Sequence, residues 1–224
     1  MSEIAESPDS PTKSAAAKSG SKRAVSKEQR REQLIKATIK CVAKKGLSGT
    51  TMADITKEAG LSLGIVNLHF QSKDKLLVET LRYMSEEYRD SVQKALNTRG
   101  GPADKLKALM AMDFSAKVCQ RNKLAVWFAF WGETKSRPTY QAICAKIDAD
   151  ACDAVHDLFM QIDQEGDYQH PDPGNYASVW NALTEGLWLD ILITPEDVDR
   201  DKAHAICQGY LAGIFPRHFD RPAK

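Results

Sequence analysis

The stretch TTMADITKEAGLSLGIVNLHFQSKDK, residues 50–75, decides the fold. Thr51 and Asp54 stand in capping-box register: a hydroxyl at the N-cap accepts the amide three residues on, and the carboxylate there returns to the N-cap amide. Met52, Ile55 and Ala59 then fall on one face of a short helix. Gly60 stands where a left-handed residue stops it. Ser62 is placed to cap a second short helix with Leu61, Ile65 and Leu68 on its inner face. Ser72 caps a third helix that runs on to about Leu96. Two short helices joined by a glycine turn form a helix-turn-helix, a motif whose second helix enters the major groove of DNA.

The ordered set Thr51, Ile55, Ala59, Gly60, Leu61, Ser62, Gly64, His69, Phe70, Ser72, Lys73, Leu76 and Leu77 resembles the DNA-binding head of the TetR family of bacterial repressors. That resemblance implies an all-α homodimer with an N-terminal three-helix helix-turn-helix head and a C-terminal helical-bundle body, dimerising through the last two long helices. It implies double-stranded DNA, on a near-palindromic operator, as the partner. The positions matching the DNA-contacting part of the motif are Thr51, Ser62, Leu63, Gly64, Asn67, His69 and Lys73. Leu63 and Asn67 depart from the Thr or Pro and the Tyr or Ser common there, so no operator sequence is carried over. Lys73, in the first turn of its helix, is suited to a phosphate, because amides at a helix N-terminus point at an anion and the ammonium adds charge.

Charge agrees with this. Net charge over the whole chain is +1, yet residues 22–75 hold twelve Lys/Arg against five Asp/Glu, a net of +7, which leaves −6 elsewhere. A basic segment that coincides with a helix-turn-helix is the electrostatic footprint of a DNA binder. The five cysteines, Cys41, Cys119, Cys144, Cys152 and Cys207, are odd in number and lack CxxC spacing, which points to reduced thiols and a cytoplasmic setting. No apolar run reaches transmembrane length, so no membrane partner is expected.

Outward from the motif, residues 1–25 are rich in Ser, Ala, Lys and Pro and are expected to be a disordered basic tail. Ser26 and Gln29 make a capping box for a first helix that stops at Gly46, with Leu34, Ile35, Thr38, Ile39 and Val42 as its apolar stripe. The head thus covers residues 26–75, an effector-binding and dimerisation body covers 76–217, and 218–224 is a short tail. Prolines mark the starts of body helices, since the first helical position needs no N–H: Pro102 opens one to about Gln120, Pro138 one to about Ile162, Pro173 one to about Ile193, and Thr194-Pro195 the last. Residues 123–132 form a short aromatic helix between the first two. Small residues recur at four-residue spacing in the last two helices, at Ala182 and Gly186 and at Ala205, Gly209 and Gly213. An interior glycine costs a helix roughly 1 kcal/mol against alanine, so the stripes point to close helix packing, and the family resemblance assigns them to the dimer interface.

No hydrolase, zinc-protease or phosphate-loop motif is present, and no catalytic residue, metal or cofactor is expected. Asp153, His156 and Asp157 are best read as part of a solvated acidic face that includes Asp148, Asp150 and Asp163. The informative cluster is aromatic: Trp127, Phe130 and Trp131, with Trp188 later. An aromatic stripe at helical spacing is usually core, but it is also the material of a cage around a cation, with Asp113, Glu133 or Glu185 as counter-charge. The segments AVWFAFW and GLWL are similar to WLAFW and DGLWL of the BetI-type branch of the same family, repressors of choline-to-glycine-betaine genes. That similarity implies an effector pocket at Asp113, Trp127, Phe130, Trp131, Glu133 and Trp188 for choline or a related quaternary ammonium. The expected protein is a homodimeric repressor released from DNA by a small molecule. Its rivals are a head that answers a different small molecule and one whose body recruits a protein partner without an effector.

Overall fold

The computed structural model describes residues 13–222, with side chains from residue 26 onward. Among these residues there are nine helices and no strand: α1 Lys13–Gly49, α2 Met52–Ala59, α3 Leu63–Phe70, α4 Lys73–Leu96, α5 Pro102–Asp113, α6 Arg121–Gly132, α7 Pro138–Gly166, α8 Pro173–Ile193 and α9 Arg200–Ile214. The all-α architecture is the one expected, an N-terminal helix-turn-helix followed by a helical body. No helix among the described residues is long and apolar enough to cross a membrane.

Two apolar clusters organise the chain. The head cluster is built from Leu34, Ile35 and Val42 of α1, Ile55 of α2, Val66 and Phe70 of α3, and Leu76, Leu77, Leu81 and Met84 of α4. The body cluster joins Leu106, Leu109 and Met110 of α5 to Leu158, Phe159 and Ile162 of α7, Trp180, Leu187 and Trp188 of α8, and Cys207, Leu211 and Phe215 around α9. α6 belongs to both: Val126, Trp127 and Phe130 join the head cluster, whereas Leu124 joins the body cluster. α4 likewise crosses from one to the other, through Leu76–Met84 and then Val92 and Ala95.

Several expected boundaries move, each for a local reason. α1 begins at Lys13, ahead of the Ser26 capping box. The run Ala15-Ala16-Ala17-Lys18 consists of strong helix formers, and a helix already nucleated in the head propagates through it. The expected disordered tail is therefore corrected for residues 13–25, and its first twelve residues lie outside the described ones. Gly46 does break helical geometry, with φ at 71°, but a further turn follows to Gly49. α5 stops at Asp113 instead of about Gln120, because Ser115 turns the chain and its Oγ accepts the Val118 amide at 3.3 Å. α9 is capped by Asp199, whose carboxylate accepts the Lys202 amide at 2.8 Å, so Thr194 and Pro195 belong to the preceding turn. Within α3 the buried pair is Val66 and Phe70, whereas Leu68 faces outward. The larger ring at Phe70, one turn after Val66, determines which side of this two-turn helix faces the core.

Candidate functional site

The head is held rigid by its caps. Thr51 Oγ1 accepts the Asp54 amide at 3.1 Å and the Thr51 amide donates to Asp54 Oδ2 at 3.0 Å. Lys45 Nζ donates to Asp54 Oδ1 at 2.6 Å, and that ion pair with the Thr51 hydrogen bonds holds the Asp54 carboxyl down at about 2. Gly60 closes α2 at φ 63°, a conformation that side chains with a Cβ rarely adopt. Arg31 ties α1 to α4 through Glu79, and its guanidinium lies 5.9 Å from the centre of the Phe70 ring under α3.

These constraints present one side of α3. Ser62, Leu63, Gly64, Asn67 and Leu68 are exposed together. Thr51 stands apart from them as the cap of α2, with its hydroxyl engaged by Asp54. Ser62 occupies the N-cap of α3 without a side-chain cap bond, which leaves its hydroxyl available. His69 is half-buried beside Phe70, and burial, helped by the nearby Lys27 charge, lowers its imidazole below the ordinary value. Lys73 turns back toward the Ser48 carbonyl at 3.5 Å, so a phosphate contact requires its flexible ammonium to swing outward. Sequence patterning missed Leu68 on the outer face; the signal was its offset of two from both Val66 and Phe70.

The body contains a cavity of about 260 Å³, on the scale of a small ligand. Its walls come from α4 (Tyr88, Val92), α5 (Leu109, Asp113), α6 (Trp127, Trp131), α7 (from Cys144 to Val155) and α8 (Trp180, Asn181, Thr184, Glu185, Trp188). Tyr88 and Trp188 meet edge to face, with centroids 5.8 Å apart and planes at 85°. Trp127 and Trp131, one helical turn apart, have centroids 6.4 Å apart. Asp113 is 6% exposed. Its Oδ1 accepts the Tyr88 hydroxyl at 3.1 Å, and its backbone carbonyl accepts Trp188 Nε1 at 3.1 Å. Burial pushes its carboxyl up to about 7, and the Tyr88 hydrogen bond offsets only part of that rise. At the rim, burial and the Asp148 carboxylate raise Glu185. No Lys, Arg or His is among the lining residues. Cys144 and Cys152 also line the cavity; burial pushes both thiols up to about 11, which keeps them protonated and poor nucleophiles.

Two expected wall residues lie elsewhere. Phe130 is fully buried in the head cluster instead, edge to face with Tyr140 at 5.0 Å. The i, i+3, i+4 spacing of Trp127, Phe130 and Trp131 fits one broad face of about 100°, but Phe130 stands at the edge of that arc and packs into the head cluster while the two tryptophans line the cavity. Glu133 caps α6 and faces Ser136 and Arg137, at the junction where Arg137 also reaches Asp74 of α4 at 3.4 Å. Tyr88, Asp148 and Trp180, which no short motif indicated, take part in the cavity instead.

The small-residue stripes lie on the surface of the subunit. Ala182, Gly186 and Gly213 are exposed, and Ala205 and Gly209 are half-buried. A Cβ placed at Gly186, Gly209 or Gly213 would meet nothing within 4 Å. They are therefore not needed for packing α8 on α9 within one subunit. Val179, Leu189 and Ile193 of α8 and Ile206 of α9 stand exposed beside them. His156 and Asp157 lie at the surface 3.8 Å apart, and the described residues contain no cluster with metal-site geometry.

Comparison with known proteins matches both halves. Residues 34–80 match the family model of bacterial regulatory proteins of the TetR family, and residues 102–216 match that of the BetI-type transcriptional repressor C-terminal domain. The HTH-type transcriptional regulator BetI of Escherichia coli SMS-3-5 is 26% identical over 189 residues, covering 84% of this chain and 94% of that protein. Among solved structures, a transcriptional regulator from Pseudomonas aeruginosa PAO1 superposes with a TM-score of 0.73 at 28% identity, covering 86% of this chain and 95% of its own. A transcriptional regulator from Saccharomonospora viridis in complex with choline shares the fold, with a TM-score of 0.75 at 20% identity and coverage of 82% and 96%. With a helix-turn-helix head and a body matched from α5 through α9, the chain belongs to the TetR family of DNA-binding transcriptional regulators, as a repressor with a BetI-type C-terminal body rather than an enzyme.

Proposed function

We propose that this repressor acts as a homodimer and leaves its operator when the body cavity takes up a small cation, choline or a related quaternary ammonium. The observation that carries this is the chemistry of the lining: indole and phenol rings from Tyr88, Trp127, Trp131 and Trp188, the buried carboxyl of Asp113, and no basic side chain among the lining residues. A quaternary ammonium has no N–H to donate, so ring faces and a negative charge are the groups that suit it, each desolvated ring contributing about 2 kcal/mol. The choline complex of the Saccharomonospora viridis regulator has the same fold but low identity, so the case here rests on these residues. A zwitterion such as glycine betaine would bring a carboxylate into a cavity that already holds Asp113 and, at its rim, Asp148 and Glu185.

α6 is the element through which occupancy would be felt, since Trp127 and Trp131 line the cavity while Val126 and Phe130 pack in the head cluster. A ligand that binds one placement of α6 better than another shifts the spacing of the two heads by that difference in affinity. The exposed stripe of α8 and α9 would seat the second subunit, placing two recognition helices about 34–36 Å apart in successive major grooves. Isothermal titration with choline, glycine betaine and an uncharged isostere of choline tests the ligand. Saturable choline heat that is lost in Trp131→Ala, with the variant still folded, is the expected result. Equal affinity for the uncharged isostere, or no heat with choline, would overturn the cation assignment.

A further inference from the structure

All six exposed large apolar side chains among the described residues lie in two places: Leu63 and Leu68 on α3, and Val179, Leu189, Ile193 and Ile206 on α8 and α9. Scattered exposed leucines need no explanation. Leu68 is different because of where it stands. It is 76% exposed, the highest value of the six. At 3.6 residues per turn it lies about 180° around α3 from the midpoint between the buried Val66 and Phe70, so it points directly away from the head core. Gly64, one turn earlier, has only the Ser62 hydroxyl near the position of a Cβ, at 3.9 Å, which clears space beside Leu68.

The composition of α3 is equally specific. Its sequence LGIVNLHF contains no Arg, Lys, Gln, Asp or Glu. In the major groove guanine is read chiefly by bidentate Arg or Lys and cytosine by Asp or Glu, whereas adenine is read by Asn or Gln and the thymine methyl by an apolar side chain. The exposed face of α3 holds Asn67 and the two leucines, and its single imidazole, His69, is half-buried. The head's many cations stand on α1, α2 and α4, among them Lys36, Lys40 and Lys45, which pair with Glu32, Glu58 and Asp54.

We infer that α3 is a reader of A·T pairs, in which Leu68, with Leu63 at its margin, packs on thymine methyl groups while Asn67 takes an adjacent adenine, and the basic side chains of the head serve the phosphates. The inference rests on operator binding alone and is independent of the effector. The test begins with selection of bound duplexes from a randomised library by the full chain, followed by replacement of thymine with deoxyuracil in the selected site, which removes only the methyl. The base pairs under α3 should be A·T, and each contacted methyl lost should weaken wild-type binding about fourfold, the value of one buried carbon. Leu68→Ala should reduce the discrimination between thymine and uracil duplexes, and Leu63→Ala/Leu68→Ala should abolish it, with unchanged melting temperatures, because the side chains lost are exposed. Lys73→Ala should instead weaken both duplexes alike. Obligate G·C pairs under α3, equal wild-type affinity for the two duplexes, or discrimination undiminished in Leu63→Ala/Leu68→Ala would each overturn the inference.

Discussion

The head and the body place their working surfaces on opposite sides of their cores. In the head, Leu34, Ile35, Ile55, Val66 and Leu76 are fully buried, and the surface proposed to meet DNA lies outside this packing, on the far side of a two-turn helix. In the body the proposed effector site lies inside: the cavity interrupts the cluster, with Asp113 buried among aromatic side chains. A close-packed interior resists displacement, which suits a head that must hold a fixed register on DNA. An interior that contains a cavity and a buried carboxyl gives up packing, which suits the proposed response to a ligand. α6 spans the two regimes, so substitutions along it separate them.

Phe130→Ala should have the largest effect. The ring is fully buried in the head-side cluster, and its loss should cost about 3–5 kcal/mol in urea unfolding. Trp131→Ala, half-buried at the cavity wall, should cost clearly less while abolishing cation binding. Equal losses of stability would erase the distinction between a packed and a hollow side of α6.

Asp113→Asn sharpens the same contrast through pH. The carboxyl titrates at about 7 in the folded chain against an ordinary value of 3.8. Between those values the folded chain holds a proton that the unfolded chain has lost. Stability therefore falls as pH rises through this window, by about 1.4 kcal/mol per pH unit at most, and levels off above about 7. The asparagine variant should flatten that slope in unfolding experiments run across the window. In the wild type, affinity for choline should rise as pH passes through about 7, because the ionised carboxylate is the form that attracts a cation. A pH-independent wild-type affinity would remove Asp113 from the binding site.

Gly209→Leu probes the outer surface of the body. Nothing lies within 4 Å of the position its Cβ would take, so the subunit itself should fold normally. Overpacking at a subunit contact costs about 1–3 kcal/mol, and sedimentation should show a shift toward monomer with loss of operator binding. A variant that remained dimeric would move the interface off this stripe. Thr51→Ala, which removes the α2 cap, should cost about 1 kcal/mol in unfolding and loosen the head without touching the cavity. The smallest effect is expected at Tyr140, whose buried hydroxyl finds no partner among the described residues. Tyr140→Phe should change the melting temperature little, or raise it slightly, since no hydrogen bond is lost.

Much of the head could be read from local rules. The Thr51–Asp54 box, the Gly60 stop and the Ser72 cap are contacts between residues a few positions apart, and the structure contains each of them. The inner face of α3 was misassigned because Leu61, Ile65 and Leu68 offer nearly as good a periodicity as Val66 and Phe70 over only eight residues. Core size, not periodicity, settled it. In the cavity, Trp127, Trp131, Trp188 and Asp113 were identifiable as aromatic and acidic material, while Phe130 and Glu133 were wrongly grouped with them. A helix only three turns long packs on two sides at once, and its sequence does not say which neighbour meets which side.

What the amino-acid sequence determined by itself was therefore what short spacing carries: the order of the helices, with the starts of α2, α4, α5, α7 and α8 marked by caps and prolines, the helix-turn-helix, the charge excess of the head, and the absence of Lys, Arg, Asp and Glu from α3. What only the tertiary structure decided was which side chains converge across long separations. Tyr88 meets Asp113 twenty-five positions away, and Trp188 reaches the same residue across seventy-five. Local hydrogen bonds and periodicity act over a turn or two of chain and leave their mark in the residues that make them. A cavity is the space left when five helices pack imperfectly, and no single segment of sequence contains it.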